Sequence, residues 1–495
     1  MTTATMSSPP KVRLTQNLID GKWSDAGSRA TFDTFGPATG EVVAKVASSD
    51  KTDVDAAVKA ARAALECGPW SKMSARDRGK LLFKLAELVE RNADELASLE
   101  VLNNGKPIGE VKGADIPLVV ETFRYFGGWA DKITGDTIPV DRSMGDFFCY
   151  TKREPVGVCG QIIPWNFPML MAAWKWGPAL ACGNTVILKP AEQTPLTALR
   201  LGELAMEAGF PPGVINIVNG FGETAGDALV KHPGVDKIAF TGEYKTAQII
   251  MRNAADTLKR LTFELGGKSP SVIFADADMD LAVRGSMAGI FFNQGEVCCA
   301  GSRVFVEESV HDEFVGKFKV AAEKRRLGDP YDVKTHQGAQ VSKEQFDKVL
   351  KYIDIGKNED KATCVTGGER FGDKGWFIKP TIFTGVRNDM RIAQEEIFGP
   401  VAAVLKFKDL HDVVKQANTT IYGLAAAVWT RDITKAFAVA DGVRAGTVWV
   451  NCYNTFDPAA PFGGYKFSGQ GRENGKDALS AYSEVKTVWV NLGKR

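Results

Sequence analysis

From residue 156 onward the chain alternates short β-branched runs with amphipathic segments, and this alternation limits the possible fold more than any other feature. VGVCGQII (156 to 163), NTVILKP (184 to 190), VINIVNG (214 to 220) and KIAFTG (237 to 242) are separated by helical stretches such as PLTALRLGELAMEAG (195 to 209). Apolar strands spaced by helices predict βαβ units, with a parallel sheet covered by helices on both faces. The rhythm restarts after LGGKSP (265 to 270) with SVIFAD, SRVFVEES and the helix HDEFVGKFKVAAEKRR, so a second α/β unit is expected beyond a boundary near 267. Upstream, Val54, Val58, Ala61 and Leu65, then Leu81, Leu85 and Leu88, recur at helical spacing and predict two amphipathic helices.

Two pieces belong to neither unit. FFCYTKREP (147 to 155) and SEVKTVWVNL (483 to 492) read as exposed strands, whose open edges are expected to pair with each other and with another subunit. A chain of 495 residues is too long for one core, which suits this division. With 44% apolar and 24% charged residues it has the composition of a soluble globular protein, and a formal charge of +1 removes a global electrostatic case for nucleic acid. The richest apolar stretch, LMAAWKWGPALAC (170 to 182), is too short for a bilayer and carries Lys175, so no membrane is expected. Eight scattered cysteines point to a reducing compartment, with the cytoplasm as the expected location. MTTATMSSPPKVRL at the start lacks an apolar run and is expected to be a short disordered leader.

Three stretches combine reactive side chains with tight turns: IIPWNFP (162 to 168), FELGGKSP (263 to 270) and GEVCCAGSR (295 to 303). The adjacent Cys298 and Cys299 fit poorly as metal ligands, because the chain has only four histidines and no CxxC spacing accompanies the pair; no metal is expected. Adjacent side chains on an extended segment point opposite ways, so one thiol is expected to react and the other to pack. A glycine-lined turn with free N–H groups would lower the reactive thiol's pKa. GFGETAG (220 to 226) lies between a strand and a helix, where glycines let backbone N–H groups approach a phosphate, although such a turn serves as often for structure. In LKPAEQTP (188 to 195), a lysine at a strand's carboxyl end and a glutamate three residues on are placed to reach ribose and phosphate, or are an ordinary exposed pair.

These stretches, together with QEEIFGPV and PFGGYKFSGQGREN in the same order, resemble the NAD(P)-dependent aldehyde dehydrogenases over about residues 17 to 492. The likeness is to the non-acylating, hydrolytic, tetrameric acetaldehyde- and retinal-oxidising branch. It implies an α/β fold of two Rossmann-like parallel-sheet domains, cofactor-binding (8–134 and 156–266) and catalytic (267–472), plus a small β oligomerisation extension (135–155 and 473–495). It implies Cys298 as nucleophile with Cys299 packed, the Asn166 amide and the Cys298 N–H as oxyanion donors, Glu264 as the base for hydrolysis, and Lys175 with Glu473 as a proton relay. Relatives that pass the acyl group to coenzyme A lack the counterpart of Glu264, so a free carboxylic acid is the expected product.

For the cofactor, the resemblance implies that Lys189 and Glu192 contact the adenosine ribose, Glu396 the nicotinamide ribose, and that Phe398 flanks the nicotinamide. Ile163, Pro164, Trp165, Gly222, Gly226, Phe240, Gly242, Glu243 and Leu265 are the remaining expected cofactor contacts. A carboxylate at 192 repels a 2′-phosphate, so NAD is expected over NADP. The chain departs from the family's pattern at FTGEYKTAQ, where Glu243 replaces a serine and Ala247 a glycine. Glu243 is either a tolerated cap residue at a helix N-terminus, or it faces the pyrophosphate and then turns aside toward Lys245 or weakens or rearranges cofactor binding. Phe167, Met171, Trp174, Phe292, Val297, Phe456 and Phe462 are implied to line an aromatic, uncharged substrate tunnel suited to apolar aliphatic or aromatic aldehydes. Two alternatives accompany this reading. A betaine-aldehyde-type substrate would be held by aromatic faces, and a catalytically weak binding or structural member would keep only the fold. A small-molecule aldehyde and further copies of the chain, as a dimer of dimers, are the expected partners.

Overall fold

The computed structural model describes residues 10–493, so the first nine residues of the expected leader lie outside the described residues. An eight-stranded sheet runs in the order Gly469–Gln470, Arg260–Leu265, Lys237–Gly242, Val158–Ile162, Thr185–Lys189, Ile215–Ile217, Asn17–Ile19, Lys22–Ser24. The five strands from Arg260–Leu265 to Ile215–Ile217 pair in parallel, whereas both edges are antiparallel. The β-branched runs at 156 to 242 thus form these strands, and 195 to 209 forms the helix Leu196–Ala208. Burial on both faces leaves no exposed position in Thr185–Lys189, whose five residues are all buried.

A second sheet of seven strands runs Thr363–Thr366, Thr381–Thr384, Val401–Phe407, Arg303–Glu307, Pro270–Ile273, Ala425–Trp429, Thr447–Val450, parallel except at its first member. These are the two parallel α/β sheets expected from the alternation. In the first hundred residues, the helix Lys51–Glu66 starts at an Asp50 capping box and buries Val54, Ala57, Val58 and Ala61, while Ala75–Arg91 is capped by Ser74 and buries Leu82, Leu85 and Leu88. The helix Pro168–Ala181 is buried along its whole length, packed against the helix Ile116–Trp129 and the strand Thr185–Lys189. Among the described residues, no helix is long and apolar enough to cross a membrane.

The third sheet joins Ser483–Asn491 to Phe147–Pro155 and then Thr137–Ile138, all antiparallel, with Val488 opposite Tyr150. The two orphan strands therefore pair with each other. This sheet keeps Phe148, Val485 and Trp489 exposed.

The edge strand Gly469–Gln470 is the fold's main constraint on the chemistry. It returns from beyond the second sheet to pair Gly469 with Glu264 and Gln470 with Phe263. Gly469 has φ +131°, and a Cβ there would lie 2.1 Å from the Phe263 carbonyl oxygen. Gly469→Ala is expected to destabilise the chain by at least about 1–3 kcal/mol, seen as a lowered melting temperature by calorimetry together with reduced turnover.

Candidate active site

The sequence around Cys298 builds its own support. Asn293 and Gln294 adopt left-handed φ of 46° and 56°, followed by Gly295 at 77°. Such conformations cost non-glycine residues energy, and side-chain hydrogen bonds offset it. Asn293 Nδ2 donates to the carbonyls of Asn166 (3.0 Å) and Glu296 (3.2 Å), and Gln294 Oε1 accepts from the Gly338 N–H (3.3 Å). Glycine is required at 295, where a Cβ would meet Gly399 at 2.3 Å. The reversal delivers a turn at Val297 to Ala300, closed by the Ala300 N–H donating to the Val297 carbonyl at 3.0 Å. Cys298 is half-buried within it, whereas Cys299 is buried and its carbonyl accepts from the Tyr453 hydroxyl at 2.8 Å. One thiol is presented and the other packed. The Cys298 N–H makes no hydrogen bond among the described residues.

Asn166 approaches from the loop after the strand Val158–Ile162. Its Nδ2 donates to the Glu296 carbonyl at 2.9 Å, which leaves its second N–H for another acceptor. Glu264, at the carboxyl end of Arg260–Leu265, is buried, and its Oε2 has no hydrogen-bond partner. Behind it, Lys175 Nζ lies 2.7 Å from both Glu473 Oε1 and Thr241 Oγ1.

All three groups reach one cavity of about 940 Å³. Its walls include Cys298, Asn166, Glu264, Phe167, Met171, Trp174, Phe292, Val297, Phe456 and Phe462, and also Pro164, Trp165, Glu192, Gly242, Glu243, Leu265, Glu396 and Phe398. The aromatic residues touch one another: Phe167 stacks on Phe292 at 6.1 Å, and Trp174 meets Phe462 and Phe456 at 5.6 and 6.2 Å. Lys175, Glu473, Ile163 and Phe240 are buried and do not line this cavity, contrary to the cofactor contacts expected of Ile163 and Phe240. Gly222, Gly226 and Lys189 gather beyond its Glu192 end, where a Cβ on Gly226 would lie 3.8 Å from the Lys189 side chain. A Cβ on Gly222 would meet nothing, so no close approach within the chain demands glycine there.

The electrostatics correct one expectation. The hydrogen bond with Cys299, burial and the Glu396 carboxylate hold the Cys298 thiol well above its ordinary pKa, so without ligands it is a neutral thiol and not the activated thiolate predicted from the turn. Glu264 is likewise held well above the carboxylate range, by burial first and the Glu473 charge second, with the Lys175 ammonium opposing. Burial raises Glu396 to about 7, although its Oε1 accepts from the Gly267 N–H at 2.9 Å.

The far half of the cavity suits a dinucleotide. Strand carboxyl ends carry Glu192, Thr241, Gly242 and Leu265, where parallel sheets place such ligands. Lys189 Nζ donates to the Pro190 carbonyl at 3.1 Å and to Glu192 Oε2 at 3.3 Å, and retains a third proton. Glu243 occupies the N-cap of the helix Tyr244–Ala254 but makes no capping hydrogen bond, so the N–H groups of the first turn remain available to a phosphate. Its side chain is exposed at the cavity wall, where its charge adds to that of Glu396; the expected cap position is found, without a capping hydrogen bond, whereas no ion pair with Lys245 forms among the described residues. Among the described residues, no group of three or more His, Cys, Asp or Glu is placed to hold a metal ion.

Sequence reasoning missed several wall residues. Gln345, Lys348 and Tyr352 come from the helix Lys343–Asp354, whose charged face reads as ordinary solvent-exposed surface. Tyr453 and Asn454 lie in a loop whose polar residues carry no motif. Asn293 sits inside the quoted cysteine motif, but its part depends on a left-handed turn that pattern does not reveal.

Comparison with known proteins agrees with this geometry. The model of the aldehyde dehydrogenase family matches residues 23–488, and the chain belongs to that family. It is 55% identical to human mitochondrial aldehyde dehydrogenase over 98% of this chain and 94% of that one, and 53% identical to human retinal dehydrogenase 2 over 98% and 93%. The structure of an NAD+ complex of aldehyde dehydrogenase from Bacillus cereus superimposes with a TM-score of 0.95 at 50% identity, covering 97% of each chain. This chain is an NAD-dependent aldehyde dehydrogenase. The mitochondrial label of the first relative stands against the cytoplasmic expectation.

Two outcomes follow from the site. Alkylation of Cys298 by iodoacetamide in the absence of NAD, followed by peptide mass spectrometry, is expected to be slow at neutral pH and still climbing above pH of about 9; a plateau by pH 8 contradicts the neutral thiol. Because Glu243 is exposed, its repulsion of a phosphate is that of water, about 1 kcal/mol at 4 Å, so Glu243→Ser is expected to tighten NAD roughly fivefold by titration, and an unchanged or weaker Kd removes the repulsion.

Proposed function

We propose that the chain oxidises apolar aliphatic or aromatic aldehydes to carboxylic acids through a covalent adduct on Cys298. The observation that carries this is the convergence of Cys298, the Asn166 amide and Glu264 on one cavity whose walls around the cysteine are aromatic. The Cys298 thiol gives up its proton to water, the thiolate attacks the aldehyde carbon, and the oxygen takes the negative charge as the thiohemiacetal forms. The free N–H of Asn166 Nδ2 and the Cys298 N–H hold that oxygen, a contribution of about 10²- to 10³-fold in comparable acyl-transfer sites. Glu192 would hold the adenosine end of the dinucleotide and Glu396 and Phe398 its nicotinamide end, and the oxidised ring would supply the hydride acceptor. Loss of hydride leaves a thioester on Cys298. Glu264, once ionised, takes a proton from water, the hydroxide adds to the thioester carbon, and the thiolate leaves with release of the acid. Lys175 and Glu473, 2.7 Å apart, carry the proton away.

Substrate choice rests on burial. Phe167, Phe292, Trp174, Phe456 and Phe462 present carbon surface, which favours apolar chains and distinguishes single methylenes weakly. Phenylalanine at 167 gives a cationic aldehyde less polar help than a tyrosine would, so the betaine-type reading ranks second.

The division proposed from the sequence remains our reading of the architecture: 8–134 with 156–266 for the cofactor, 267–472 for catalysis, and 135–155 with 473–495 for assembly. Exposed Phe148, Val485 and Trp489 on the third sheet support a homotetramer. The eight free cysteines support a reducing compartment, for which we propose the cytoplasm.

Cys298→Ala is expected to abolish aldehyde-dependent NADH formation. Glu264→Gln is expected to release about one NADH per subunit and then stall, with the acyl mass on Cys298 in denatured protein. Sustained turnover by either variant at the parent rate, with no adduct, ends this mechanism.

A further inference from the structure

The segment NNGKP, residues 103 to 107, lies outside every motif that suggested the chemistry, yet it reaches the core of the site. It follows the helix Ala93–Asn104, which stops at Gly105 with φ +88°, where a Cβ would lie 2.8 Å from Pro37. The reversal sends Lys106 inward, and its side chain is entirely buried. Lys106 Nζ donates to Asp115 Oδ2 at 2.7 Å and to the backbone carbonyl of Asn166 at 2.9 Å, and it also sits over the Phe167 ring. Asn104 Nδ2 holds the preceding carbonyl, that of Trp165, at 2.8 Å, and Asn293 Nδ2 takes the other side of the Asn166 carbonyl at 3.0 Å. The peptides on both sides of Asn166 are thus tied to side chains from two other segments.

We propose that Lys106 is a positioning residue for the oxyanion donor: its ammonium fixes the Asn166 carbonyl and so aims the side-chain amide of the same residue toward Cys298. Stability alone does not account for the pair. A buried lysine and aspartate are expensive to desolvate, and apolar residues of the same volume commonly fold as well or better. What an apolar replacement lacks is a charged donor to Asn166. The Asn166 amide already spends one N–H on Glu296, so its second N–H has a defined direction only while the backbone behind it is fixed. An ammonium bonded to the carbonyl supplies that restraint, and charge-assisted bonds are the stronger kind. Asp115 keeps Lys106 in place, and Phe167, the first aromatic of the substrate wall, rests on the same ammonium.

This inference rests on the oxyanion role proposed for Asn166, and the test separates the two. Full-length enzyme is compared as Asn166→Ala, Lys106→Met, Lys106→Met with Asp115→Leu, and the combination of all three, with kcat, aldehyde KM and NAD Kd measured for each. The lysine–aspartate replacement is expected to lower kcat roughly 10- to 100-fold while KM and Kd stay within about twofold, and to add less than about twofold to the loss already caused by Asn166→Ala. Parent-level kcat in the lysine–aspartate variant overturns the positioning role, as does its full loss repeated on the Asn166→Ala background, or KM and Kd rising in step. If Lys106→Met alone fails to fold because Asp115 is left unpaired, the paired replacement answers the question. A paired replacement that also fails to fold makes Lys106 a packing residue and overturns the proposal. Asn166→Ala with undiminished kcat instead removes the oxyanion reading itself.

Discussion

A hydrogen bond of 2.9 Å, from the Asn166 amide to the Glu296 carbonyl, ties the loop after a strand of the first sheet to the cysteine turn that precedes a strand of the second. Without it the two sheets would each offer half a site. Its geometry is fixed from both ends: Lys106 and Asn293 hold the Asn166 backbone, and the left-handed run Asn293 to Gly295 sets the path of Glu296. Strain in that run persists because buried side chains compensate it. The third member, Glu264, is aligned by the return of Gly469 and Gln470 along its strand. Three separate parts of the chain therefore meet at one sulfur.

Much of this was legible in the residues. Strand and helix alternation from 156 onward gave the parallel sheets because period and burial agree there, as in the fully buried Thr185–Lys189. The pairing of 147 to 155 with 483 to 491 was equally plain, since each reads as an exposed strand with an open edge that belongs to neither α/β unit. Glu264, Cys298 and Asn166 came from motif resemblance, and the fold brings them to one cavity. What pattern could not reveal was long-range: Lys106 and Asp115 look like ordinary charges near helices, and only the packing buries them together beside Asn166. The thiol's pKa was misjudged for a related reason. Local turn chemistry argued for a thiolate, but the Cys299 hydrogen bond and burial prevail once the second sheet closes over the turn.

The unliganded site is consequently short of negative charge where the chemistry needs it. Cys298 and Glu264 are both held toward their neutral forms, and Glu396 sits near 7. Each must ionise to act as nucleophile, base or acceptor, and a positively charged nicotinamide ring is the kind of charge that would favour the change.

The helix Pro168–Ala181 has one more consequence. Phe167 is its N-cap, Met171 and Trp174 follow one and two turns on, and Lys175 is the very next residue. These cavity residues and the lysine of the proposed relay are therefore mounted on a single helix, buried over its full length. Any adaptation that rotates or slides the helix to admit a bulkier aldehyde also misaligns the ammonium from Glu473. New specificities in this scaffold are thus more accessible at Phe292 or Phe456, which lie off that helix, than at Phe462, whose backbone exchanges two 2.8 Å hydrogen bonds with Glu473.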